Sequence, residues 1–181
     1  MRKLTFRWEL TGMAFIILAG SALHFVFEWS GYWRPAALIA AVNESMWEHL
    51  KMAFWPGLIF ALVEYPFIRK AAHNVWAAKG LGLFTMPVVI VALFYGYKAI
   101  VGRDYLWMDI LIFVLAVVAG QLVSYRILIA HRMGRHVQWS SIILLAILIA
   151  AFSSLTYWPP RFFLFEDPRT HEYGILDGSV K

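Results

Sequence analysis

The chain has 181 residues, of which 61% are hydrophobic and only 15% charged, and its mean hydropathy is +0.66. A water-soluble domain of this length needs more polar surface, so the composition argues against one and points to a polytopic integral membrane protein with no room for a separate soluble catalytic module. Cysteine is absent, which removes disulfides, thiolate nucleophiles and iron–sulfur ligation, and the net charge of +5 sits in loops, where it suits an anionic leaflet rather than nucleic acid.

The first apolar segment, residues 8–28, follows Arg2, Lys3 and Arg7. Leu18-Ala19-Gly20-Ser21-Ala22 looks like a signal-peptide cleavage region, but His24, Phe25 and Trp29 read as a helix that continues, so a retained span is expected. Pro35 to Val42 is too short to cross and reads as a re-entrant or interfacial lead-in. Asn43-Glu44-Ser45 then opens a second span over residues 44–68, roughly 37 Å long against a hydrocarbon core of about 30 Å. Residues 81–100, 105–130 and 137–157 supply three more spans. In the tail, residues 158–181, Phe162-Phe163-Leu164-Phe165 are placed in the interface. The expected fold is an all-α membrane protein, a bundle of about five transmembrane helices forming one polytopic domain over residues 1–181.

Nine Lys and Arg residues fall on the side of the N-terminus and six on the other, with Lys51 inside a span. That bias predicts a cytoplasmic N-terminus and an extracytoplasmic C-terminus. Lys79 is counted here in the loop before the third span.

Ionisable residues inside a span are costly, so their positions are informative. His24 and Glu28 are spaced i, i+4, as are Glu44 and Glu48, with Lys51 a further turn along and His49 about 100° round from Glu48. All of these fall toward one face of the membrane. Histidines and carboxylates projecting inward from neighbouring helices are how bundles hold metals, and a set without thiolate suits Zn, Mn or Fe alike. His24, Glu28, Glu48 and His49 are therefore candidate metal ligands. Glu44 is the candidate general base, Asn43 a group that orients substrate or water, and Lys51 an oxyanion or phosphate partner. A plainer reading is a capping box, in which Ser45 and Glu48 exchange bonds at a helix start and Glu48 and Lys51 neutralise one another. Glu64 and Gln121 read as helix–helix glue.

His24-Phe25-Val26-Phe27-Glu28-Trp29-Ser30-Gly31, the run Asn43-Glu44-Ser45-Met46-Trp47-Glu48-His49-Leu50-Lys51, and the ending Leu164-Phe165-Glu166-Asp167-Pro168 with Tyr173-Gly174 carry a resemblance. The chain resembles a family of uncharacterised small bacterial integral membrane proteins. That resemblance implies a polytopic fold in the plasma (inner) membrane of a bacterium and carries no activity with it.

The leading expectation is a metal-assisted hydrolase or transferase acting on a lipid or lipid-linked substrate at the outer membrane face. A small ion- or proton-coupled transporter, in which the same carboxylates bind a cation, is one alternative; a structural or assembly subunit is the other. The bilayer is the expected partner, and nucleic acid is not.

Overall fold

The computed structural model of the chain describes residues 2–175. Five long helices account for most of it: α1 (Arg2–Trp29), α2 (Met46–Ile68), α3 (Val75–Val101), α4 (Leu106–Leu128) and α5 (Arg135–Ser154). The all-α membrane architecture expected from the sequence is what the structure has. Helices α1, α3, α4 and α5 are long and apolar enough to cross a membrane. At 23 residues, α2 is about 35 Å long, but Glu48, Lys51 and Glu64 interrupt its apolar character, and all three are buried in the bundle.

Short connections force neighbouring helices to run antiparallel, and α3 occupies the centre, packed on α2, α4 and α5. The bundle is closed by α1, which lies against α2 and α4. Two glycines set the close approach of α3 to α4: a Cβ on Gly82 of α3 would stand 2.8 Å from the Gly120 carbonyl oxygen, and one on Gly120 of α4 would stand 2.7 Å from that of Gly82. Small residues of this kind let membrane helices approach backbone to backbone. The core between the ends is apolar, with Ile16, Phe54, Met86, Ala116, Val117 and Phe152 buried together. The outside carries Leu18, Ile100 and Leu106, among other large apolar side chains.

The two ends of the bundle are tied differently. At the end holding the N-terminus of α1, buried Asn74 donates to the carbonyls of Ile127 and His131 and accepts from the Met133 amide, which locks the α2–α3 turn to the α4–α5 turn. One to two turns deeper, Lys79 of α3 contacts both Glu9 of α1 (2.7 Å) and Glu64 of α2. At the other end α1 stops at Gly31, whose φ of 69° only glycine adopts freely. The lead-in between α1 and α2 is a single short 3-10 turn, Arg34–Leu38, and its Ala36 and Ala37 pack with Phe27 and Ala40. The chain after α5 folds back over this same end.

Candidate functional site

Ser45 caps α2 with extended backbone (φ −66°, ψ 152°), its hydroxyl accepting the Glu48 amide at 3.4 Å. Only half of the expected capping box is made. The Ser45 amide goes to Asn43 Oδ1 instead, so the Glu48 carboxylate is released for another task.

That task lies inward. Glu48 Oε2 is 2.6 Å from Lys51 Nζ and accepts the Val42 amide, while its Oε1 accepts from the Thr156 hydroxyl at 2.8 Å. Lys51 donates to the Ala37 carbonyl (2.8 Å), to Thr156 Oγ1 (2.9 Å) and to Glu48, which uses all three of its N–H bonds. Both side chains are buried, Lys51 completely. This is a fully satisfied buried pair that joins the lead-in, α2 and the segment after α5. The structure does not bring Glu48 among the other proposed metal ligands, nor does it leave Lys51 a hydrogen free for an oxyanion.

The outer pole holds a different set. Because Glu44 precedes the helix, its side chain is not bound to the helical stripe of Glu48. It lies between two imidazoles, 3.8 Å from His24 Nε2 and 3.6 Å from His49 Nε2. The rings of His24 and His49 are 5.5 Å apart, and one ligand atom from each of the three residues falls within 4.8 Å of the others. All three are half-buried. His49 Nδ1 stands 2.8 Å from the Ser45 carbonyl, which can only accept, so Nδ1 carries a proton and Nε2 is the nitrogen turned toward the Glu44 carboxylate.

Glu28 is exposed one turn beyond His24 and is not part of this cluster. Asn43 is a fastener: its amide donates to the Gly174 carbonyl at 2.8 Å. The i, i+4 arithmetic thus paired the wrong residues, and His24, Glu44 and His49 meet because the chain turns at residue 45.

Two residues that the helix patterns did not single out complete the site. Asp167, buried in the tail, accepts the Glu44 amide at 2.9 Å and those of Arg169 and Thr170. Arg169 in turn places Nη1 3.5 Å from Glu44 Oε1. The tail is anchored further by Trp47, whose amide donates to the Leu164 carbonyl and whose ring packs between Phe152 and Phe165. Of the four tail residues assigned to the interface, Phe162 and Phe163 are exposed and Phe165 is buried. Within the tail, Glu166 accepts from His171 (2.7 Å) and Tyr173 (3.0 Å), and these bonds hold its carboxyl below the usual carboxylate range.

A bundle of membrane-length helices, polar at both ends and apolar between them, with a histidine–carboxylate cluster under a folded-back tail at one end, is a helical membrane protein with a candidate ligand site at its surface. The chain belongs to the family of unknown function DUF6512, whose profile matches residues 2–175. No curated protein and no solved structure matches it.

Proposed function

We propose that His24, Glu44 and His49 hold a divalent metal ion, and that the protein is a metal-dependent hydrolase or transferase acting on a lipid or lipid-linked substrate at the membrane surface. The observation that carries this is that His24, Glu44 and His49 each bring one ligand atom within 4.8 Å of the other two. Ligand atoms around a four-coordinate Zn²⁺ with bonds near 2.0 Å stand about 3.3 Å apart. The Glu44 carboxylate turns one oxygen to each imidazole, Oε1 3.8 Å from His24 Nε2 and Oε2 3.6 Å from His49 Nε2, so an ion would draw the three side chains inward. The Ser45 carbonyl already fixes the His49 tautomer, which is the usual outer partner of a metal-bound imidazole.

Two histidines and one carboxylate leave a coordination position open, and an ion there would acidify a bound water toward neutrality. Arg169 supplies the positive group beside it, in the role that sequence reasoning gave to Lys51, and suits a phosphate or carboxylate on the substrate. Exposed Phe25, Trp29, Trp33 and Trp158 around this end fit the headgroup level of a bilayer, where such a substrate would present itself. With Lys79 paired inside the bundle and no longer a loop charge, eight Lys and Arg residues remain on the N-terminal side against six on the other. We therefore keep the proposed orientation, with the site extracytoplasmic.

The test is metal content after purification in a non-chelating detergent and exposure to Zn²⁺, Mn²⁺ or Fe²⁺. Wild-type protein should retain one of these stoichiometrically, and Glu44→Gln and His49→Ala should lose it while remaining folded. Wild-type protein that retains none of them would refute the proposal.

A further inference from the structure

At the opposite end of the bundle Glu9, Glu64 and Lys79 come from three different helices and are buried almost completely, Glu9 to 1%, Glu64 to 0% and Lys79 to 5% exposure. Glu9 Oε1 is held by the Lys79 ammonium at 2.7 Å and the Ser124 hydroxyl at 2.9 Å. The same ammonium contacts Glu64 Oε1. Two carboxylates thus share one cation. Their second oxygens, Glu9 Oε2 and Glu64 Oε2, are buried with no hydrogen-bond partner among the described residues.

The charge does not balance. Fully ionised, the cluster carries one net negative charge in a buried interior, and an unpaired charge there is strongly disfavoured. The surroundings do not correct it. From α4 the facing groups are Ser124 and Gln121, whose side-chain amide is spent on the Glu9 backbone carbonyl. From α5, Ser141 packs on Gly80, beside Lys79, and its hydroxyl bonds back to Val137. The ionised groups acting on Glu64 are Lys79 and Glu9 themselves.

We propose that this cluster is a proton-binding site, in which Glu9 and Glu64 between them hold a single exchangeable proton on one of their unpartnered oxygens. The proton forms an O–H bond to one carboxylate, so it removes the net charge and leaves the other carboxylate paired with the Lys79 ammonium. Two carboxylates on one ammonium exceed its charge by one, and one bound proton restores neutrality. Glu9 lies seven residues into α1, about 10 Å from its start, which is a short path for a proton from the aqueous face. Release of the proton leaves a negative charge where α1, α2 and α3 meet, so the packing of this end depends on its occupancy. The metal reading of the other end is independent of this one.

Infrared spectroscopy of the protein in liposomes tests it. Wild type at neutral pH should show the carbonyl stretch of a protonated carboxylic acid, shifted in deuterated buffer and lost at alkaline pH. Glu9→Gln and Glu64→Gln, which keep side-chain volume, should each abolish the band, because one carboxylate then faces one ammonium; either variant suffices if the other does not fold. A wild-type spectrum without the band, or a band that persists in the folded variants, overturns the proposal. So does a band that vanishes when Na⁺ replaces choline at constant pH, which would make the site a seat for a metal cation.

Discussion

Asp167 accepts the backbone N–H of Glu44 at 2.9 Å, across 123 residues of chain. The bond makes the tail part of the outer site: the residue that positions Glu44 also orders the turn carrying Arg169.

Asp167→Ala should therefore loosen the site without touching a proposed ligand. It strands the Glu44 amide and releases the Arg169–Thr170 turn, at a cost of about 1–3 kcal/mol for groups left without partners. Hydrogen exchange should rise across residues 164–175 and stay unchanged in the middle of α3. Metal affinity should fall but not vanish. Unaltered exchange in the tail would contradict this account.

Lys51→Met leaves the Glu48 carboxylate buried without its counter-charge and should destabilise the protein by about 3–5 kcal/mol. Glu48→Gln combined with Lys51→Met removes both charges, so the double variant should be more stable than Lys51→Met alone. Denaturant titration in a single detergent reads this difference. Losses that simply add would show that the pair is not a unit.

Gly120→Val puts a branched side chain where a Cβ alone would meet Gly82 O at 2.7 Å. Separation of α3 from α4 should cost about 1–3 kcal/mol, as for other overpacked contacts. Gly96→Val, where a Cβ meets nothing within 4 Å, serves as the control and should leave thermal stability close to wild type.

The Glu166 carboxyl is held below its ordinary value of 4.5, first by the hydrogen bond from His171 and then by that from Tyr173. A lowered folded value means that the stabilisation is complete above the ordinary value and is lost as pH falls through the folded one. The Asp167 amide, which bonds to the Glu172 carbonyl, should therefore exchange faster, relative to its intrinsic rate, as pH drops below about 4. Glu166→Gln should remove that dependence.

Helix number and the polar end that carries the candidate site were legible in the sequence because both depend on local features: apolar runs of membrane length, and a dense polar stretch at Asn43–Lys51. The membership of the site was not. Spacing arguments assume one continuous helix, and α2 begins only at Met46, so Glu44 escapes the stripe it was assigned to. Glu9 and Lys79 escaped notice for another reason. Each stands near a helix start among basic residues and resembles a surface charge, and residues 9, 64 and 79 share no period. Only the packing of three helices reveals that they touch. The tail residues were noted as a sequence feature, but nothing local says that Asp167 returns to residue 44.

The buried charges also impose an order on synthesis. Lys51 and Thr156 are 105 residues apart, and Glu9 and Lys79 are 70 apart. At about 5–20 residues per second, Lys51 waits roughly 5–20 s after translation for the hydroxyl that completes its bonding, whereas Glu9 waits roughly 4–14 s for its ammonium. A chain arrested after α4 already holds Glu9, Glu64, Lys79 and Ser124, while Glu48 and Lys51 still lack Thr156. The N-terminal pole of the bundle can close before the last helix exists, and the other pole cannot.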